Sequence, residues 1–190
     1  KYILIDLSDN ITLIFHLGMS GRIKLLKMLN YRNNKHDHIL INLNNKNILV
    51  FNDPRKFGFI DVSHTSELKK KKYLLKLGVD PLESKFNVNY LLLKFKNSKS
   101  SIKQLLLNQE IVAGIGNIYA CEILYDAKIS PFLPGNELNK YNVAKLIQSM
   151  KKILTKAILS GGTTIKDYVS TDGTLGSFQN KFKVYNKEGK

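Results

Sequence analysis

Cysteine is nearly missing from this chain, and acidic side chains are scarce. One cysteine, Cys121, in 190 residues excludes an internal disulfide and any multi-cysteine zinc site built from this segment alone. It lies among apolar residues of a helical stretch and reads as a small core side chain rather than a reactive thiol. No uncharged apolar run reaches about 18 residues and no signal peptide is visible, so a cytoplasmic protein is the economical expectation. Fifteen acidic residues stand against thirty basic ones, leaving a formal charge of +15 and a pI of about 9.8. Such an excess points to a polyanionic partner. Nucleic acid comes first, because each neutralised phosphate releases condensed counterions; an anionic membrane surface or plain solvation is the alternative.

What is present suffices for a packed core. Hydrophobic residues make up 43%, and the length suits one large or two small domains. From Lys1 to about Ser63 short β-branched and aromatic runs alternate with polar turns: Tyr2 to Leu7, Thr12 to His16, Ile23 to Met28, Ile39 to Leu43, Ile48 to Phe51 and Phe59 to Val62. Asn44-Asn45-Lys46 separates two of them as a hairpin turn would. This pattern predicts part of a β-sandwich or barrel. The opening strand has no visible partner before it, and both ends of the chain read as cut.

From Glu67 the period changes. A turn at Gly78-Val79-Asp80-Pro81 and the polar stretch Glu83 to Asn87 mark the expected hinge between a β domain (1–82) and a helical domain (91–190). Helices are predicted over Val88 to Phe95, Ser101 to Asn108 and Asn117 to Ala127. A longer one is predicted from an Asn136 cap to about Leu159, with Leu138, Val143, Leu146, Ile147, Met150 and Leu154 as its apolar face. Gly161-Gly162 ends it, Thr163 or Thr164 caps a short helix through Val169, and Ser170 to Ser177 reads as a loop. The fold class is therefore α+β. Lys69 to Lys72 reads as a solvated helix face.

Four constellations carry possible chemistry. At Gly114-Ile115-Gly116-Asn117 a helix begins on a glycine turn, where N-H groups and the positive end of the macrodipole favour an anion; a plain helix-turn-helix corner is the other reading. Asn117 would cap that turn or donate its amide to the anion. His16 to Gly21 joins two strands and places Met19 at a loop tip, either packed under its own loop or exposed as a wedge between bases. Asn52 to Gly58 is a second loop in which Arg55 offers a fork of donors and Phe57 a ring for stacking, unless it is only a hairpin tip. In Lys35-His36-Asp37-His38 the two histidines point to opposite faces of a strand, which disfavours chelation and favours a phosphate contact or a core hydrogen bond. Lys103 and Lys166 each sit near a helix start, where a lysine adds charge to an anion site.

His16 to Gly21, Asp53 to Gly58, Gly114 to Glu122, and Gly161 to Tyr168 with Asp172-Gly173 together resemble, in order, signatures of the bacterial formamidopyrimidine-DNA glycosylases. The resemblance covers essentially the whole chain. It implies an antiparallel β-sandwich followed by a helix-two-turn-helix DNA-binding domain and a zinc finger, with damaged double-stranded DNA held in the cleft between. It also implies base-excision repair by a glycosylase and AP lyase acting on oxidised purines such as 8-oxoguanine and formamidopyrimidines.

By position, Lys1 matches the family's cleft lysine, which acts beside the lesion and in β-elimination. Met19, Arg55 and Phe57 match the triad that fills the hole left by the flipped nucleotide. His16, His36, Lys103 and Asn117 match phosphate contacts, Lys166 begins the region that holds the flipped base, and Ser170 to Phe178 matches the lesion-recognition loop.

Departures from the family pattern bear on activity. The family's N-terminal proline nucleophile, its following glutamate and the zinc-finger cysteines have no counterparts in these 190 residues, and Lys56 stands where a second arginine is commoner. The expectation is an internal segment that binds DNA as a monomer, binds no zinc itself, has no membrane partner, and lacks glycosylase activity alone. The whole protein would be cytoplasmic and nucleoid-associated. Two readings compete with it: a non-catalytic nucleic-acid binder and a pyrimidine-directed endonuclease relative.

Overall fold

The computed structural model describes residues 2–163 and 176–189. Within them the chain forms two compact units, Lys1–Lys70 with Ser160–Gln179, and Lys71–Leu159 with Asn180–Lys190.

The first unit is built from two antiparallel sheets of three strands. β1 (Tyr2–Asp6), β2 (Ile11–His16) and β6 (Phe59–His64) form one sheet in the order β1-β2-β6; β3 (Arg22–Lys27), β4 (Asp37–Asn42) and β5 (Asn47–Asn52) form the other in the order β3-β5-β4. Alternating side chains explain why both sheets bury one face. Phe15 from β2, Ile23 from β3 and Phe51 from β5 meet in a shared core, with Leu13, Leu17, Leu49 and Ile60 packed around them. Turn chemistry sets the strand ends. Asp9, Asn10 and Lys46 take positive φ, a conformation that Asn and Asp tolerate better than most residues.

Helices make up the second unit: α1 (Lys72–Leu75), α2 (Val88–Phe95), α3 (Ile102–Leu107), α4 (Asn117–Ala127) and α5 (Lys140–Leu159). Their starts are chemically marked. Asn87 Oδ1 accepts from Tyr90 N at 3.0 Å to cap α2, and Ser101 with Gln104 forms a reciprocal capping box at α3. α4 ends on Lys128 in the left-handed conformation (φ 55°), with Ile129 N reaching back to Leu124 O at 3.0 Å. The core draws on Leu91 and Phe95 of α2, Ile102 and Leu106 of α3, Ile123 and Leu124 of α4, and Leu146 and Met150 of α5. Between α4 and α5, Lys152 Nζ lies 2.7 Å from Asp126 Oδ1.

Two local expectations are corrected. The long helix does not start at Asn136, because Gly135–Glu137 close a separate 3₁₀ turn; Asn139 caps α5 instead, its Oδ1 accepting from Asn142 N at 2.9 Å. The buried stripe of α5 then runs through Ile153 and Ala157, while Leu154 is only partly covered. The short helix predicted after Gly162 falls outside the described residues apart from Thr163.

Candidate nucleic-acid interface

In the first unit, the loops His16 to Gly21 and Asp53 to Gly58 are bonded to each other. Asp53 is fully buried, and its carboxylate is the junction. Oδ1 accepts from Ser20 Oγ at 2.6 Å and from Arg55 N at 3.3 Å, and Oδ2 accepts from Gly58 N at 2.8 Å. Burial, the largest influence, pushes this carboxyl up, but the hydrogen bonds from Ser20, Gly58, Arg55 and Lys56 together outweigh it and hold the group below its ordinary range.

Two glycines let the backbones touch. A Cβ on Gly18 would lie 2.9 Å from Phe57 Cβ, and one on Gly58 would lie 2.6 Å from His16 O. Gly18 also has φ +58°, a conformation that favours glycine.

That junction leaves the apolar tips outside. Met19 is 74% exposed and Phe57 61% exposed, so Met19 does not pack under its own loop. Arg55 is exposed beside them. His36 joins the same junction through its backbone, its carbonyl accepting from Asp53 N at 2.9 Å. His38 Nε2 lies 2.8 Å from Asp53 O, which makes it a backbone-bonded histidine. At the foot of the loop, buried Asn52 accepts from Arg22 Nε at 3.0 Å and donates to Asp37 Oδ1 at 2.6 Å.

His16 stands in an aromatic stack, its ring 4.8 Å from that of Tyr2 and 5.3 Å from that of Phe59. Burial is the largest influence on its pKa and lowers it, against an opposing hydrogen bond with the Phe57 backbone.

In the second unit, Lys103 and Asn117 line one cavity of about 650 Å³ together with Cys121, Tyr125, Lys128 and Tyr185. Asn117 is not the helix cap: Gly116 holds that position without a side chain to close the turn. The Asn117 side chain is exposed, and its Oδ1 accepts a weak bond from Cys121 Sγ at 3.9 Å. Cys121 therefore borders this cavity and is only partly buried, contrary to its reading as a core residue.

Gln109 shapes the glycine turn, its Oε1 accepting from Gly114 N at 2.9 Å and its Nε2 donating to Ile115 O at 2.8 Å. Glu122, 4% exposed, accepts from the backbone N-H groups of Lys183, Val184 and Tyr185 at 2.8, 3.0 and 2.9 Å. It fixes the terminal segment that forms one wall of the cavity.

Lys1, Lys166 and residues 170–175 of the expected lesion loop lie outside the described residues. The ends of that region are held by Ser177 N to Ser160 O at 3.0 Å and Phe178 N to Gly162 O at 3.1 Å. Among the described residues no group of three or more His, Cys, Asp or Glu could hold a metal ion. With one cysteine in the chain, a four-cysteine zinc site does not fit these residues. No helix among them is long and apolar enough to cross a membrane.

Sequence reasoning gave no role to Asp53, Ser20, Gln109 or Glu122. A proline-stiffened Asp-Pro loop facing a Gly-x-Ser-Gly loop was the signal available for the first pair. Glu122, an acid flanked by Ala120, Cys121, Ile123 and Leu124, marked a buried carboxylate in need of donors.

Among the described residues, two three-stranded antiparallel sheets in one unit and five helices in the other define a protein of the α+β class. A family model for the formamidopyrimidine-DNA glycosylase N-terminal domain matches residues 1–60, and one for the H2TH domain of the same enzymes matches residues 77–169. The chain belongs to the formamidopyrimidine-DNA glycosylase family.

Curated relatives include the formamidopyrimidine-DNA glycosylase of Zymomonas mobilis, 47% identical over 190 residues, and that of Rickettsia bellii, 46% identical over 189. All of this chain is matched in both, covering 69% and 68% of the relatives. Among solved structures, the wild-type Lactococcus lactis enzyme with a N7-benzyl-Fapy-dG containing DNA superposes with a TM-score of 0.90 at 35% identity. The Thermus thermophilus protein superposes at 0.89 and 34%. All of this chain and 69% of each of those chains are covered.

Proposed function

We propose that the chain serves base-excision repair as part of a DNA glycosylase that grips damaged double-stranded DNA and turns the lesion out of the stack. Oxidised purines, 8-oxoguanine and formamidopyrimidines, are the substrates in this reading, and base release is followed by AP-lyase cleavage through a Schiff base. The observation that carries it is the exposed pair Met19 and Phe57 on loops bonded to each other. Two exposed apolar side chains on mutually bonded loops suit insertion into an emptied base stack. A protein that grips only the phosphate backbone has no use for them.

The residue roles in this reading are those that the family resemblance implies. Met19, Arg55 and Phe57 fill the vacated space, while His16, His36, Lys103 and Asn117 contact phosphates and set the register without reading sequence. Lys1 acts beside the lesion and Lys166 near the flipped base. Zinc belongs to relatives that carry a zinc finger. A cytoplasmic, nucleoid-associated location accompanies the genomic substrate.

The test is titration of duplexes carrying 8-oxoguanine, an abasic-site analogue or no lesion, at matched salt. Preference for the damaged duplexes is expected; equal affinity for all three defeats the reading. Base release from the 8-oxoguanine duplex by the complete gene product checks the chemistry.

A further inference from the structure

We propose that Asp53, through Ser20, is a positioning residue that makes the Met19 loop and the Arg55-Phe57 loop insert as one unit. The proposal rests on the lesion-binding reading above and assigns a task to residues that never touch DNA.

Asp53 has no exposed surface, so a direct contact is ruled out by geometry. Its carboxylate is instead saturated from within. One oxygen takes the Ser20 hydroxyl at 2.6 Å and the Arg55 N-H at 3.3 Å, the other takes the Gly58 N-H at 2.8 Å. Ser20 Oγ also accepts from Arg55 N at 3.2 Å, which closes a small ring of bonds around the base of both loops. Backbone atoms of the same residue extend the tie, since Asp53 N donates to His36 O and Asp53 O accepts from Lys56 N at 3.4 Å.

The side chains with work to do are the sequence neighbours of these anchors. Met19 lies between Gly18 and Ser20. Phe57 lies between Lys56, itself at φ +57°, and Gly58. A non-glycine residue in the left-handed region needs its surroundings to hold it there. The Asp53 bonds to Arg55 and Gly58, on either side of Lys56, supply that constraint. Charge-assisted bonds in a dry site are short and directional, so the spacing between the Met19 tip and the Phe57 tip is set by one carboxylate.

A residue that only kept the unit folded would affect all DNA alike. A positioning residue affects the inserted state alone, and the difference is spectroscopic. A duplex bearing 2-aminopurine opposite an abasic-site analogue reports disturbance of the stack at the inserted position. With the full chain, Ser20→Ala and Asp53→Asn are expected to keep affinity for intact duplex within about twofold while losing about tenfold or more of the lesion preference, the scale of one charge-assisted hydrogen bond. The 2-aminopurine change should shrink in parallel. Adding Ser20→Ala to Phe57→Ala should cost less lesion preference than Ser20→Ala costs alone, because one of the two side chains being positioned is already gone.

Should Asp53→Asn fail to fold, Ser20→Ala, which leaves the Arg55 and Gly58 bonds to Asp53 in place, carries the test. Equal losses on intact and damaged duplex, or an unchanged preference and 2-aminopurine signal in Ser20→Ala, would overturn the proposal. Absence of lesion preference in the unaltered chain would instead overturn the functional reading beneath it.

Discussion

Gln109 Oε1 accepts the Gly114 N-H at 2.9 Å, and the same amide donates to Ile115 O at 2.8 Å and to Leu107 O at 3.1 Å. One side chain thus pins the turn that leads into α4, where Gly114 sits at φ +80° and Gly116, the cap residue, has no side chain to offer. Gln109→Ala removes these bonds and lets the turn explore other conformations. Stability should fall by about 1–2 kcal/mol, and affinity for every duplex should drop several-fold, since the turn would contact phosphate rather than base. Fluorescence anisotropy on damaged and intact duplexes checks this; a loss confined to damaged DNA would show that the turn does not serve the backbone.

Asn117 and Phe57 should separate by the kind of DNA they affect. Asn117→Ala is expected to weaken damaged and intact duplexes alike, whereas Phe57→Ala should reduce binding of damaged duplex most. With about five or six phosphates contacted, log affinity should fall against log salt with a slope of roughly −5. Asn117→Ala, which removes no charge, should leave that slope unchanged, while Lys103→Ala should flatten it by about one. The reverse pattern, or a slope near zero in the unaltered chain, would refute the assignment of these residues to backbone and stack.

Much of this was legible in sequence where the signal is local. The alternation in Ile11–His16 and Asn47–Asn52 gave strands because every second side chain enters the shared core, and the boundaries of α2 and α4 follow from Asn87 and from the glycines before Asn117. Asn136 was misplaced as a cap because Asn136 and Asn139 are chemically equivalent cap candidates three residues apart. Only the 3₁₀ turn after Pro134 decides between them. Loop tips were legible, but what holds them was not. Ser20 and Asp53 are 33 residues apart, and no periodicity or capping rule links a serine in one turn to a carboxylate in another. Gln109 is not legible for a different reason: no local pattern marks a glutamine that pins a turn, and its role depends on reaching five residues forward to Gly114.

Glu122 should prove to be the main tether of the terminal segment. Its carboxylate meets three backbone N-H groups in a buried place, and a glutamine would turn an NH₂ toward at least one of those donors. Glu122→Gln is expected to cost roughly 2–3 kcal/mol and to expose the segment around Phe182 to protease first. Urea unfolding and timed proteolysis measure the two effects. A change below about 0.5 kcal/mol, the range of an ordinary surface substitution, would mean that the segment is held by other contacts.

If His16 contacts a phosphate as proposed, DNA binding should depend on pH. In the free protein its folded pKa lies below the ordinary value, with burial the largest cause, so the ring is neutral at pH 7. Its contribution to stability is complete above the unfolded value of about 6.5 and is lost as pH falls through the lower folded value. A phosphate placed beside the ring acts the other way, favouring the charged imidazolium. Binding then takes up a proton, and affinity should rise as pH falls from about 8 toward 6. His16→Gln keeps a donor but cannot titrate, so its affinity should rise less over the same interval. Anisotropy titrations of both proteins at fixed ionic strength decide the matter, and superimposable pH profiles would remove His16 from the list of phosphate contacts.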